Sequence, residues 1–531
     1  MPERVVLVGY GPVGARFVEE LLPAVRAGTI ALTVVGAETS DAYNRVLIAE
    51  FAVGHTDRES LEITDPDEAR DAGVRILTGT IVTAINRTRH TVTLGTGEDL
   101  PYDRLVLATG ARANVPTLDG VTRVRRDRMR PAADASALDS AEAPLPSGVT
   151  ALRDLADART VLAAVRSGQR IVVLGAGVLG MEIALAAARA GAQTCVVYHG
   201  DSPMARSLDR GAGATLARSA RQAGVAMIDH SRAESVLFRV DGDGVSHFDA
   251  LICADGKQIN GDLLLLSCGV GARTELAAIA GLDVSTGILV DDSLQSWADP
   301  RIFAIGDCAH VMSRPHDGAA TGTPPGAPSG LIGPGWRQAD WLASRFRDEA
   351  SREPLVERAG SVVMLKAEGV DVTAAGDVRR EPWDSDDSRV HADGCATPGP
   401  SVAQWADPEH GRYVKMVTVA GILTGFVCVG MPRTAAELTL LFERGSELPA
   451  DRSVLLRFDG PDYEPTSGAD AFALDATVCW CNGVTVGAIA GSADEGNTTV
   501  ACIGAATRAG TGCGGCKGRI GEVLERFSAP V

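Results

Sequence analysis

The sequence predicts an α/β protein of several domains, and three observations carry that prediction. A strand, a glycine turn and a helix follow one another at Val5–Leu22 and again at Ile171–Ala192. Each unit is followed by a further apolar strand, Leu32–Glu38 and Thr194–Tyr198, so one design occurs twice. Near its end the chain carries four cysteines in a CxC…CxxC arrangement, Cys479, Cys481, Cys513 and Cys516.

The remaining elements fit around these. Arg104–Ala111 reads as an apolar strand ending in a turn, and Asp262–Gly269 plays the same part in the second unit. Residues 123–147 read as an inserted surface loop, and the Gly-, Pro- and Thr-rich stretch 313–330 as another loop. Arg301–Asp307 closes the nucleotide region. A further region begins near Ser361, is broken by the polar segment 382–401, and includes strands Tyr413–Val419 and Ile422–Gly430. Segment 459–472 reads as a linker. Helix-like stretches, Thr485–Ala493 and Arg519–Phe527, follow the two cysteine pairs. The expected boundaries are 1–120 with 283–350 for the first nucleotide domain, 148–282 for the second, 355–458 for a C-terminal α+β domain and 474–531 for the cysteine module.

Composition bounds the function. A chain of 531 residues has room for three or four domains. Only 4% of residues are aromatic, so the cores must be built from Val, Leu, Ile and Ala, and sixty glycines suit closely packed α/β layers. The net charge of −18 argues against nucleic acid and against an anionic membrane surface, because both need clustered Lys and Arg. No uninterrupted apolar run is long enough to span a bilayer. The first strand, read as starting at Arg4, leaves no room for a signal peptide. A soluble, cytoplasmic protein is expected. Seven of the cysteines (Cys195, Cys253, Cys268, Cys308, Cys395, Cys428 and Cys502) are scattered; several read as small buried residues, and no disulfide framework is expected.

The motifs carry the chemistry. Gly9, Gly11 and Gly14 form GxGxxG: the first permits a tight turn, the second lets backbone approach a pyrophosphate, and the third lets helix and strand pack closely. Glu38 ends the next strand, where an acid accepts hydrogen bonds from an adenosine ribose. Gly175, Gly177 and Gly180 repeat the pattern, but the following strand ends in Tyr198-His199-Gly200-Asp201. Asp201, shifted along, serves NADH; His199 and Arg206 would instead meet the 2′-phosphate of NADPH. The residues leave that choice open. Two dinucleotide sites in one chain suggest hydride transfer between a nicotinamide, NAD(P)H, and a flavin, FAD. The four thiolates suit either an iron–sulfur cluster or a zinc ion.

Here the sequence resembles the two-dinucleotide-binding flavoprotein reductases. Thr109-Gly110 looks like that family's ATG segment, and Ala304-Ile305-Gly306-Asp307 like its GD segment, whose Asp binds the FAD ribityl chain. Glu182 stands where the family often has a Glu near the nicotinamide; a core-helix Glu with a structural partner is the other reading. The resemblance narrows to the large subunit of NAD(P)H nitrite reductases. Ala42-Tyr43-Asn44-Arg45-Val46-Leu47 is similar to its AYDRV segment, where the Arg lies by the flavin. Met364–Lys366 with Gly369–Val372, and Tyr413–Lys415 with Leu423–Gly425, look like its later segments. Cys479–Val484 and Thr507–Lys517 match its bacterioferritin-associated-ferredoxin-like [2Fe–2S] module.

The resemblance covers nearly the whole chain. It implies a two-dinucleotide-binding flavoprotein with FAD and NAD(P) Rossmann-like domains, an α+β C-terminal domain and a small helical [2Fe–2S] domain. It also implies electron transfer from NAD(P)H through FAD and the cluster to a partner. That partner is expected to be the catalytic subunit of assimilatory nitrate reductase. Two departures matter. No CxxxxC pair lies near the first glycine motif, which sets dithiol chemistry aside. Nothing corresponding to the sirohaem half of nitrite reductase follows Cys516, so an electron-donor unit is expected. The alternatives are a separate nitrite reductase, a rubredoxin or an oxygenase as acceptor, an amine-oxidising FAD dehydrogenase, and a zinc-stapled interaction module. Helix N-termini near the sulfurs would offset cluster charge. Arg508 and Lys517, flanking the second pair, would do the same, dock a partner, or stand in solvent.

Overall fold

The structure, a computed structural model, describes residues 1–121, 144–314, 324–348, 355, 360, 362–367, 369–384, 389–390, 396–397, 399–459, 472–479, 482–512 and 514–527. Most of the expected loop 123–147 and linker 459–472 therefore lies outside the described residues, as do Cys395, Trp480, Cys481 and Cys513.

The first strand, Glu3–Val8, begins one residue earlier than expected and is fully apolar from Val5 onward. It lies inside an eight-stranded sheet, parallel to Ile30–Val35 on one side and Arg104–Leu107 on the other. Strand Asp299–Ala304 continues the sheet beside Arg104–Leu107, so a segment from late in the chain completes the first nucleotide unit. Helix Pro12–Arg26 follows the glycine turn, with Pro at its first position, where the lost N–H costs nothing. It buries Phe17, Val18, Leu21 and Leu22. Phe17 meets Phe346 of helix Ile332–Arg347 edge-on at 5.6 Å. The Trp336 indole N–H donates to the Pro12 carbonyl at 3.2 Å, tying this helix to the glycine turn.

The second unit repeats the plan. Ile171–Leu174 lies between the parallel strands Thr194–Val197 and Leu263–Leu266, and Ala226–Ile228 and Val149–Ala151 complete a five-stranded parallel sheet. Each unit also carries a three-stranded antiparallel meander, over residues 82–101 in the first and 233–260 in the second. The two are stitched together where each apolar strand ends. Ala111–Ala113 pairs with Val270–Ala272, the Arg273 N–H donates to the Gly110 carbonyl, and the Thr109 hydroxyl donates to the Arg273 carbonyl, both at 2.9 Å.

A third unit is an antiparallel five-stranded sheet ordered Val363–Ala367, Val370–Gly376, Ile422–Val429, Arg412–Val419, Pro400–Asp407. Helix Pro432–Arg444 packs against it, burying Leu438 in a core with Phe426 and Met416. The other face of the sheet packs on helices Val178–Arg189 and Arg210–Gln222. A buried ion cluster sits at that seam. Lys415, wholly buried, donates to Asp209 at 3.0 Å and to Glu381 at 3.2 Å, and the Tyr413 hydroxyl donates to Asp209 at 2.5 Å. Burial, then the Asp209 carboxylate, pushes the Tyr413 hydroxyl pKa up, so Tyr413 stays a donor.

The last unit is a hairpin, Thr477–Cys479 with Val484–Thr485, followed by helices Val486–Asp494, Val500–Thr507 and Lys517–Phe527. Val486, Ile489, Ile503, Ile520 and Val523 form its core. The middle helix is an addition to the expected pair. It is eight residues long, starts at a Thr499 cap that accepts from the Cys502 N–H, and leaves Cys502 exposed, unlike the buried Cys253, Cys308 and Cys428. Among the described residues no helix is long and apolar enough to cross a membrane.

Removing one member of a buried, hydrogen-bonded ion pair strands the other charge and typically costs about 3–5 kcal/mol. Lys415→Ala is accordingly expected to lower the chemical-denaturation midpoint strongly; a midpoint within error of the parent would show that Asp209 finds water or another partner.

Candidate functional site

The first turn is built by backbone crowding. Gly9 has φ +114°, and a β-carbon there would collide with the Ala108 carbonyl. A β-carbon on Gly14 would collide with the Gly9 carbonyl. Gly11 caps the following helix in an extended conformation, and a β-carbon on it would lie 3.8 Å from Arg45 Nε, so the Arg45 guanidinium lies beside the turn. Arg45 is ion-paired with Glu38, which also accepts the Tyr43 hydroxyl at 2.8 Å. Burial pushes the Tyr43 hydroxyl pKa up and keeps it a donor. Arg45 Nη1 donates to the Arg153 carbonyl at 3.2 Å, and Arg153 pairs with Asp307 at 2.7 Å.

Glu38, Arg45 and Asp307, read separately in the sequence, thus belong to one chain of contacts around the turn. Arg153 links them and was not singled out; it sits in no motif, and its role depends on contacts 108 and 154 residues away. Gly306, at φ +73°, donates its N–H to the Gln338 side chain at 2.8 Å, joining the Asp307 turn to helix Ile332–Arg347.

The second turn copies the first. Gly175 has φ +113° and its β-carbon would collide with the Ser267 carbonyl; a β-carbon on Gly180 would collide with the Gly175 carbonyl. Gly177 has nothing within 4 Å of its β-carbon position, so protein packing does not require it to be glycine. His199, Asp201 and Arg206 are all exposed, on the segment after strand Thr194–Val197. Glu182 is half-buried on helix Val178–Arg189, two residues past Gly180. Both turns keep open the space that a dinucleotide pyrophosphate needs, so the residues fit that group.

Of the four module cysteines, Cys479 and Cys516 are described, and both are buried. A hydrogen bond from Cys516 lowers the Cys479 pKa from the usual thiol value to about 6, against the opposing effect of burial, with backbone and Asn482 bonds adding to it. Asn482 Nδ2 lies 3.8 Å from Cys479 Sγ and donates to the Arg508 carbonyl at 2.7 Å. A buried thiol that favours the thiolate, Cys479, with a second cysteine and an amide donor beside it fits an iron–sulfur or zinc ligand set. Helix Val486–Asp494 follows the first pair and helix Lys517–Phe527 the second, as expected. Arg508, at φ +63°, ends helix Val500–Thr507 and ion-pairs with Glu19 and Glu20 of helix Pro12–Arg26, each at 3.0 Å. The structure thus gives Arg508 an ion pair within its own chain, which was not among the three roles expected for it. Lys517 is exposed. The Asn44 side chain donates to the carbonyls of Thr511 and Gly512 at 2.9 and 2.6 Å.

With this geometry in hand, the comparisons with known proteins are decisive. The pyridine nucleotide-disulphide oxidoreductase family matches residues 3–323. The chain belongs to that family. A BFD-like [2Fe–2S] binding domain matches residues 477–526. An NAD(P)H nitrite reductase of Bacillus subtilis is 28% identical over 98% of this chain and 57% of its own length. The assimilatory nitrate reductase electron transfer subunit of the same organism is 27% identical over 98% of this chain and 59% of its own length. The chain thus spans little more than half the length of these relatives. The covalent putidaredoxin reductase–putidaredoxin complex superposes with a TM-score of 0.65 over 85% of this chain and 95% of that one, at 23% identity. That likeness shows the shared fold.

Family membership makes the protein an NAD(P)H-dependent flavoprotein reductase, with FAD, NAD(P)H and a [2Fe–2S] cluster as its cofactors. The fold is the expected α/β two-dinucleotide-binding one with a C-terminal cluster module. The disulphide in the family's name has no counterpart at the first turn, which carries no cysteine. Cys516→Ala is expected to abolish the visible absorption of the cluster and bring protein-bound iron close to zero while flavin content stays at one per chain; full iron retention would place the ligands elsewhere.

Proposed function

We propose that this chain is an electron-transfer reductase that takes electrons from NAD(P)H and delivers them to the catalytic subunit of assimilatory nitrate reductase. In this reading the unit over 1–120 and 283–350 holds FAD. Gly9, Gly11 and Gly14 receive its pyrophosphate, Glu38 its adenosine ribose, and Thr109, Gly110 and Asp307 its flavin end, with Arg45 beside it. The unit over 148–282 takes the nicotinamide nucleotide at Gly175, Gly177 and Gly180. Asp201 would read the adenosine ribose of NADH, or His199 and Arg206 the 2′-phosphate of NADPH, and Glu182 would lie near the nicotinamide. Residues 355–458 form the α+β domain that braces the second unit. Cys479, Cys481, Cys513 and Cys516, in 474–531, hold the cluster.

FAD, when bound, accepts a hydride's two electrons and releases them singly, which is what a one-electron iron–sulfur centre requires. The chain's own residues bind, orient and connect. Arg45 brings positive charge beside the first turn and is held there by Glu38 and the Arg153 carbonyl. Thr109 and Gly110 bond to Arg273 across the junction, keeping the two nucleotide units in register.

One observation carries the reading. The segment Tyr43-Asn44-Arg45 touches the first glycine turn through Arg45 and the second cysteine loop through Asn44. The unit that would hold FAD therefore has the cysteine module as its direct neighbour. A second intact glycine turn speaks against an amine dehydrogenase, which needs no nicotinamide.

The deciding experiment is an anaerobic titration with NADH and with NADPH, followed by visible and EPR spectra, then addition of the nitrate reductase catalytic subunit. Flavin bleaching, a reduced-cluster EPR signal and its loss on adding nitrate with that subunit are expected. A cluster reoxidised by a separate sirohaem nitrite reductase, a rubredoxin or an oxygenase but not by the nitrate enzyme would move the assignment to that partner. Zinc in place of iron would end it. Gly9→Val is expected to remove bound flavin altogether, whereas Gly175→Val keeps the yellow colour and loses bleaching by NAD(P)H; equal flavin loss in both would contradict the division of labour between the two turns.

A further inference from the structure

We infer that the cysteine module is seated on the first nucleotide unit by a two-point polar clamp, Asn44 on the carbonyls of Thr511 and Gly512 and Arg508 on Glu19 and Glu20, and that these side chains are positioning residues for electron transfer within the chain. The direction of that transfer rests on the function proposed above; the seating itself does not.

Asn44 is 1% exposed and has both ends of its amide committed. Its Oδ1 accepts from the Val46 N–H at 3.0 Å, capping the short turn Arg45–Leu47, while its Nδ2 bonds the two module carbonyls. Only the oxygen can accept from an N–H and only the NH₂ can donate to carbonyls, so the orientation is fixed. Its own N–H donates to the Leu61 carbonyl at 2.7 Å, which leaves the backbone little slack. The related AYDRV segment has an aspartate here. Aspartate caps a turn as well as asparagine does, but its carboxylate has no proton to give and would face two carbonyl oxygens. The module contact at this position therefore depends on the amide.

Arg508 supplies the second point. Its guanidinium forks onto two adjacent carboxylates of the helix that follows the first glycine turn, and Glu20 is further held by Arg347 at 3.6 Å. A partly exposed ion pair is a weak contributor on its own. Here it works with the buried amide at the other end of the same loop, residues 508–512. The loop is also tied inward, because Asn482 bonds the Arg508 carbonyl and approaches Cys479. Moving the clamp thus moves both cysteine loops. Small polar seams between domains open by default, so directional bonds are what hold this one in a single geometry.

The test uses full-length Asn44→Asp, Arg508→Glu and the swap Arg508→Glu with Glu19→Arg and Glu20→Arg. Small-angle scattering of the as-purified proteins reads the seating, and stopped-flow anaerobic mixing with NAD(P)H reads flavin and cluster reduction separately. In Asn44→Asp and Arg508→Glu the particle is expected to expand and cluster reduction to slow about tenfold or more, as misplacement of reacting groups does. Flavin reduction and the EPR g-values of the chemically reduced cluster stay as in the parent, and the swap restores most of the loss. Unchanged scattering and an unchanged cluster rate in both variants would overturn the clamp. A parent protein whose flavin bleaches while its cluster stays oxidised would overturn the proposed function instead, and scattering would still decide the seating.

Discussion

Two carbonyl groups set the terms for the rest of the molecule. The Ala108 carbonyl presses on Gly9 and the Ser267 carbonyl on Gly175, so tightly that neither position has room for a β-carbon. Each contact forces the strand to turn at once, at φ +114° and +113°, and brings the following helix N-terminus up to the end of the sheet. The helix returns the constraint, since Gly14 and Gly180 must lie against the carbonyls of Gly9 and Gly175. Strand, turn and helix are thus closed on one another by backbone alone. What remains at the mouth of each turn is a helix N-terminus with positive potential and no β-carbon crowding it, which fits a pyrophosphate.

The residues around the first turn show how charge is managed once that site exists. Arg45 would be a poor neighbour for a helix N-terminus unless paired. Glu38 pairs it, Tyr43 fixes Glu38, and Arg153 and Asp307 extend the chain to the far end of the unit. Each guanidinium is matched by a carboxylate, Arg45 by Glu38 and Arg153 by Asp307. The same segment turns one residue earlier, at Asn44, toward the cysteine module. One short stretch therefore answers both to the first glycine turn and to the cysteine module. Tyr43 and Arg45 both reach Glu38, while Asn44 between them turns to the carbonyls of the module.

How legible this was depends on the range of the forces. The glycine turns, their strands and helices, and the cysteine pairs are written in local spacing, and the described residues match them to within a residue or two at most ends. Glu38, Arg45 and Asp307 were recognisable because each sits in or beside a motif. Arg153 was not, and neither was the part played by Asn44, whose bonds span 467 and 468 residues. Helix Val500–Thr507 escaped because Ala, Gly, Cys and Thr carry little amphipathic pattern over eight residues. Arg508 read as a charge near the cluster; only its position at a left-handed helix end aims it at Glu19 and Glu20. Lys415 was noticed as part of a family-like segment, yet its burial against Asp209 could come only from the packed sheet.

The contrast between the two polar seams bears on what each must do. At the seam between the third unit and the second nucleotide unit, Lys415, Tyr413 and Asp209 are sealed from water, and Asp209 also caps helix Arg210–Gln222. Opening that seam would expose three groups whose bonds are satisfied only together, so it stays shut, and the segment from Tyr198 to Asp209 is held at its far end by a rigid post. The seam under the cysteine module has one buried amide and a half-open ion pair. Its bonds are exchangeable for water at modest cost. Under the function proposed above, a nucleotide-reading segment benefits from rigidity, whereas a cluster that both receives an electron inside the chain and presents it outside needs a seat that is specific in geometry but shallow in energy. Directional hydrogen bonds supply that combination, and a hydrophobic interface would not.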